Sequence, residues 1–216
     1  MDRWVCLDVG ETLIDETRIW SLWADAFGIP RLTFFAALGA VVAGGGQHGQ
    51  TFESFGIPRE SWLARLPEVE ERYGGFREED LYADARRALE ALDAAGYRVA
   101  VAANQPAVRE AQLRALGISP DVLAMSDDIG VAKPDPDFFA RILELMGDPE
   151  PGAVAYVGDR VDNDVLPALK AGMRAVWLRR GPWGVVQQLP EGVRPSLVVD
   201  SLDELVGRIG QAWSEA

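Results

Sequence analysis

The stretch "CLDVGETLID", residues 6–15, decides how the rest of this 216-residue chain is read. It continues the short apolar run that starts at Trp4 and halts it on Asp8, with Gly10 and Thr12 just behind. A short apolar run ending in a carboxylate reads as a buried strand that opens into a loop. Such an aspartate either caps the following turn or carries chemistry. Which of the two applies depends on what the remaining strands bring to the same edge.

Five further β-type runs follow: "YRVAVAA" at 97–103, then 122–125, "AVAYV" at 153–157, "RAVWL" at 174–178, and 197–199. Between them lie "AVREAQLRALG", "DPDFFARILELMG" and "NDVLPALKAGM", each with apolar residues at helical spacing. The stretch "ARRALEALDAAG", ahead of the second run, is also helical and closes on Gly96 as a helix C-cap does. Strand and helix in alternation predict a parallel sheet covered by helices on both faces. Ligands of such sheets bind beyond the carboxyl ends of the strands, where Asp8 and Asp159 both fall.

The alternation breaks from about residue 16 to residue 79. That region is rich in Ala, Leu, Trp and Phe at helical period ("RIWSLWADAFG", "RLTFFAALGAVVAG", "RESWLARL") and contains no convincing strand. It reads as an all-helical insert whose aromatic residues form its own core. Within it "GGGQHG", residues 44–49, matches G-x-G-x-x-G, but no strand–helix–strand frame surrounds it. It reads as a helix-to-helix loop, and His48 either faces the site across the cleft or, as the better reading, is an ordinary loop histidine.

Composition narrows the chemistry. Hydrophobic residues make up 48% and charged residues 25%, which is globular usage. The longest apolar runs fall short of a membrane span, and "MDRWVCLDV" lacks a signal-peptide layout, so a cytoplasmic protein is expected. The single cysteine, Cys6, fits a reducing compartment and a place in the core. Net charge is -13, from 21 basic and 34 acidic side chains, and no Lys/Arg cluster offers a nucleic acid a basic face. One histidine argues against a Ser-His-Asp triad or a multi-histidine metal site. Carboxylates are left to carry any chemistry.

Four stretches stand at loops after strands: "LDVGETLID", "VAVAANQ", "VAKPDPDFF" and "VGDRVDND". Their order, the helical insert after the first and "LKAGM" after the last resemble the haloacid dehalogenase (HAD) superfamily over nearly the whole chain. The resemblance implies a Rossmann-like three-layer α/β core, residues 1–14 and 80–216, with central strand order 3-2-1-4-5. Residues 15–79 would form a helical C1-type cap. It further implies an Mg²⁺-dependent phosphohydrolase for a small phosphorylated substrate. Asp8 would be the nucleophile forming an aspartyl-phosphate, and Lys133 would hold Asp8 and the phosphoryl oxygens. The metal would take Asp8, the Gly10 carbonyl, Asp159 and Asp164, the last as ligand or supporting acid. Backbone amides of the Val9 to Glu11 loop and Asn104 would donate to the phosphate. A cation on such a site lowers the repulsion between a carboxylate nucleophile and an anionic ester, and Mg²⁺ suits few carboxylates plus substrate oxygens.

Two positions depart from the family pattern. Gly10 stands where D-x-D-x-T has its second acid, which protonates the leaving oxygen. Ala103 stands where a Ser or Thr would donate to the phosphoryl group. A positioned acid contributes about 10²- to 10⁴-fold and an oxyanion donor about 10²- to 10³-fold. The departures therefore imply weak activity or a preference for good leaving groups, unless Glu11 or a cap residue replaces the acid. Two other readings compete. A 2-haloacid dehalogenase needs no proton donor at position 10 but has an aromatic there and a Ser at position 103. A degenerate binding protein would have no use for Asp8, Lys133, Asp159 and Asp164.

Overall fold

The computed structural model describes residues 2–214. Six strands form one all-parallel sheet: β1 (Trp4–Leu7), β2 (Arg98–Ala103), β3 (Val122–Met125), β4 (Val154–Gly158), β5 (Arg174–Leu178) and β6 (Leu197–Val199). Their order is β3-β2-β1-β4-β5-β6, so β6 extends the expected 3-2-1-4-5 at one edge. Leu7 pairs with Val101 on one side and Val157 on the other, which brings the carboxyl ends of β1, β2 and β4 to one edge of the sheet.

Strand side chains alternate between two cores, as a sheet buried on both faces requires. Val5, Leu7, Val99 and Val101 pack with Ala88, Leu92, Leu202 and Leu205. Trp4, Cys6, Ala100 and Tyr156 pack with Phe138, Phe139, Ile142 and Ala168 on the opposite face. The result is a Rossmann-like α/β sandwich.

Between β1 and β2 come four helices, α1 (Thr17–Ala26), α2 (Arg31–Ala43), α3 (Gln50–Glu53) and α4 (Arg59–Tyr73), then α5 (Ala85–Ala94), which belongs to the sheet. Helices α1 to α4 have their own apolar cluster, including Trp20, Trp23, Phe34, Leu38, Phe52 and Val69. Trp183, from the sheet side of the molecule, inserts into it. No single helix among the described residues is long and apolar enough to cross a membrane.

The chain leaves and re-enters the α/β unit through two paired segments. Ile14 forms an antiparallel bridge with Leu81. Around it Asp15 N donates to Asp80 O at 2.7 Å and Tyr82 N to Leu13 O at 3.0 Å. Arg18, in α1, locks the crossing. It donates to both oxygens of buried Asp80 and to the Tyr73 and Gly75 carbonyls.

Candidate active site

β1 ends at Leu7, and the next residue, Asp8, anchors its backbone to the neighbouring strand through a 2.9 Å bond to Val157 O. The chain then turns sharply. Leu13 and Ile14 amides return to Val9 O, and Glu11 adopts φ 52°, a left-handed conformation unusual for a side chain with a Cβ. Its carboxylate braces this turn: it accepts from Tyr82 Oη at 2.5 Å and from the Glu16 amide at 3.0 Å. The Glu11 amide is itself committed to Ile14 O at 2.7 Å. That corrects the expectation of Glu11 as a backbone phosphate donor, because the left-handed turn directs its N–H back into the loop. Among the described residues the amides of Val9, Gly10 and Asn104 have no acceptor, and these remain able to meet an anion.

After β2 comes α6 (Val108–Ala115), and after β3 Lys133 lies in the loop between α7 (Ser126–Ile129) and α8 (Pro136–Leu145). Asn104 fixes it there. Its side-chain amide donates to Lys133 O at 2.8 Å while its carbonyl accepts from Lys133 N at 2.7 Å. The Asn104 side chain is thus spent on positioning, and only its backbone N–H faces the cleft chemistry. Lys133 Nζ reaches Asp8 Oδ1 at 2.9 Å and Asp164 Oδ1 at 2.6 Å with its side chain 1% exposed. Burial works against the ammonium charge, but Asp164 and Asp8 outweigh it and hold its pKa above the ordinary lysine value.

Asp159 follows β4, and the next residues wind into a π-helical turn, Val161–Val165, that brings Asp164 back beneath Asp8. Such turns recur at functional sites. Asp164 accepts Lys133 with one oxygen and the Arg160 amide, at 2.9 Å, with the other. One oxygen each from Asp8, Asp159 and Asp164 lies within 4.8 Å of the others. Burial raises Asp164 to about 6, against the pull of Lys133, and the Asp8 charge adds to the rise. Asp159 is held well above the usual carboxylate range, by burial and then by the charges of Asp164 and Asp8. Its Oδ2 is buried with no hydrogen-bond partner among the described residues. An orphaned carboxylate oxygen among three close acids is a donor set suited to a hard divalent cation. Asp162, the other acid of this stretch, points elsewhere: it pairs with Arg160 and accepts from Gln187 and from Gln47 of the helical segment.

The cleft above these groups has a volume of about 300 Å³, walled on the sheet side by Asp8, Asn104, Lys133 and Asp159 and opposite by Trp20 and His48. His48 therefore lines the cleft, which is the alternative to an ordinary loop histidine. It stands 5.4 Å from the Trp20 ring and 6.5 Å from the Trp183 ring, ring centre to ring centre. Its neighbour Gln47 ties the 44–49 loop to Arg160 and Asp162. Ala103 offers no hydroxyl and is buried with the core.

Sequence reasoning missed Glu16. It occupies the N-cap position of α1, yet its side chain caps nothing; Asp15 does that instead, accepting from Thr17 N at 2.8 Å. Glu16 turns into the cleft, where it accepts from Trp20 Nε1 at 3.2 Å and Gln105 Nε2 at 3.4 Å. Burial, then the nearby Glu11 charge, raises its pKa to about 7. The only sequence signal was an acid following the D-x-G-x-T turn.

A family model described as haloacid dehalogenase-like hydrolase matches residues 3–172. Among curated proteins the chain is 38% identical over 85 residues to pyrimidine 5'-nucleotidase YjjG of Escherichia coli (strain K12), covering 39% of this chain and 36% of that protein. It is 29% identical over 162 residues to haloacid dehalogenase-like hydrolase domain-containing protein 3 of Danio rerio, covering 74% and 65%. The chain thus matches less than two thirds of the length of either. Among solved structures, the putative HAD-hydrolase YfnB from Bacillus subtilis, bound to magnesium, superposes with TM-score 0.69 at 18% identity over 95% of this chain and 97% of that one. Solved dehalogenases share the same fold. On its matched motif-bearing length and its sheet order, the chain belongs to the haloacid dehalogenase-like hydrolases.

Proposed function

We propose that the protein is a phosphohydrolase that uses Asp8 as nucleophile and Mg²⁺ as cofactor, acting on a small phosphorylated molecule held under a helical cap formed by residues 15–79. The observation that carries this reading is the buried carboxylate trio with the unpartnered Asp159 oxygen beside a nucleophile already held by Lys133. Asp8, Asp159 and the Gly10 carbonyl would hold the ion, with Asp164 supporting through Lys133. A bound divalent ion would neutralise phosphoryl charge and favour the developing transition state.

The chain's own groups have separate tasks. Lys133 holds the Asp8 carboxylate in place through their ion pair, and its charge meets the phosphoryl oxygens. The free amides of Val9, Gly10 and Asn104 offer neutral donors, so the site need not add more positive charge to bind an anion. Asp8 Oδ attacks phosphorus, giving an aspartyl-phosphate that water then cleaves. Trp20 and Trp183 narrow the opening over these groups and limit solvent access.

A dehalogenase reading is less well supported. It gives no use to three converging carboxylates, and neither Gly10 nor Ala103 matches the resemblance it depends on. The test is hydrolysis of acetyl phosphate, an aryl phosphate and an alkyl phosphate with Mg²⁺, beside Asp8→Asn. Turnover abolished in the variant is expected. Chloride release from a 2-chloro acid in the presence of chelator would replace the reading with the dehalogenase one.

A further inference from the structure

We infer that Glu16 supplies the proton-transfer group that Gly10 lacks, so that the acid has moved from the nucleophile loop to the first turn of α1. The inference rests on the proposed phosphohydrolase reading and adds the identity of its general acid and base.

The geometry is specific. A Cβ built on Gly10 would lie 2.5 Å from Glu16 Oε1 and 3.0 Å from Glu16 Cδ. The carboxyl group of Glu16 therefore fills the volume where a side chain at position 10 would begin. Gly10 does not have the left-handed backbone that would demand glycine, so its missing side chain makes room for Glu16 and serves no local turn. Glu16 shares the cleft with Asp8, Asn104, Lys133 and Asp159. Its orientation is built: Glu11 holds its backbone amide, while Trp20 and Gln105 donate to its two oxygens.

Glu11 is the other acid beside the gap, and it is otherwise engaged. One of its oxygens takes Tyr82 and the other takes the Glu16 amide, with the residue 5% exposed. Glu16 has weaker, longer contacts and faces the open volume.

In the first step Asp8 Oδ forms a bond to phosphorus as the P–O bond to the leaving group breaks. The bonding pair goes to the leaving oxygen, which takes the proton of the Glu16 carboxyl and departs as an alcohol. In the second step the Glu16 carboxylate takes a proton from water while the water oxygen bonds to phosphorus. The Asp8 O–P bond breaks, its pair returning to the Asp8 carboxylate, and inorganic phosphate leaves with Glu16 protonated again.

Glu16→Gln keeps size and one of the two acceptor oxygens but cannot donate this proton. With Mg²⁺ present, kcat/KM should fall about 10²- to 10³-fold on an alkyl phosphate. On acetyl phosphate, whose leaving group needs no protonation, it should fall less than about tenfold, and 32P-labelled phosphoenzyme should accumulate because hydrolysis of the aspartyl-phosphate loses its base. Gly10→Asp combined with Glu16→Ala places a carboxylate in the vacated volume and should recover alkyl phosphate turnover to within about tenfold of the parent. Equal losses on both substrates, or undiminished alkyl phosphate turnover in Glu16→Gln, would overturn the assignment. The parent reading fails separately, if the unmodified protein cleaves no phosphate or if Asp8→Asn cleaves as well as it does.

Discussion

Asp159→Asn should make the protein more stable in chelator and remove its stabilisation by Mg²⁺. Asp159 is 2% exposed, its Oδ2 has no partner, and the carboxylates of Asp8 and Asp164 lie within 4.8 Å. Two unit charges at that separation repel by about 3 kcal/mol at an effective dielectric near 20. Lys133 compensates part of the Asp8 and Asp164 charge but makes no contact with Asp159 among the described residues, which leaves about one such pair uncompensated. At neutral pH, where the unfolded chain has released the Asp159 proton, an isosteric neutral side chain should then gain about 2 kcal/mol, or roughly 4 to 8 °C in Tm for a chain of this size, and in acid little. In the parent, free Mg²⁺ at a hundredfold over its dissociation constant should add about 3 kcal/mol by mass action. The variant should show little of that. The pH dependence has a definite sign. Burial and the flanking acids hold Asp159 above its unfolded value near pH 4, so the folded chain keeps a proton that the unfolded chain has released. In chelator this contribution is fully present below about pH 4 and is lost as pH rises through the folded-state value. Scanning fluorimetry with EDTA and with Mg²⁺, from acid to neutral pH, tests all three statements. A lower Tm for Asp159→Asn in EDTA, or an equal Mg²⁺ shift in both proteins, would refute the reasoning.

Asp80→Asn leaves the Arg18 guanidinium without its charged partner at the crossing and should lower stability by about 3 kcal/mol, read as a shifted urea midpoint. Tyr82→Phe removes the donor that braces the left-handed Glu11 turn; a loss of about 2 kcal/mol is expected in the same assay. Trp183→Ala withdraws a side chain 3% exposed from the core of helices α1 to α4 and should cost about 3 to 5 kcal/mol, with hydrogen exchange rising first in those helices.

The six strands could be read from the sequence because each is a short apolar run set between helical patterns, and burial on both sheet faces leaves little ambiguity. Boundaries moved by one residue, as where β4 runs to Gly158 instead of stopping at Val157. Short helices such as α3 and α7, four residues each, span barely one turn and leave no periodicity to detect. The stretch 163–173 reads as one helix, but it divides into the end of a π-helical turn and a short α-helix (Leu166–Lys170). Asp8, Lys133, Asp159 and Asp164 could be singled out because the four stretches that carry them resemble, in order, the motifs of the haloacid dehalogenase superfamily. Glu16 could not. Its place depends on Asp15 taking over the cap of α1 and on the absence of a side chain six positions earlier, and neither is a property of Glu16's own sequence neighbourhood. The Gln47 contact with Asp162 spans 115 positions and was equally invisible.

The shared volume between positions 10 and 16 has an evolutionary consequence. An acid at position 10 would take the space that the Glu16 carboxyl fills and push that side chain out of its place, so among descendants of one ancestor the two should covary: a carboxylate at one site and a small residue at the other. Neither single substitution leads from one arrangement to the other without loss. Adding the acid at 10 first crowds two carboxylates into one space, and removing the glutamate first leaves none. A lineage that has made the exchange therefore reverts by single steps only through a weakened intermediate, and a scan that scores each position alone would count it among the inactive branches.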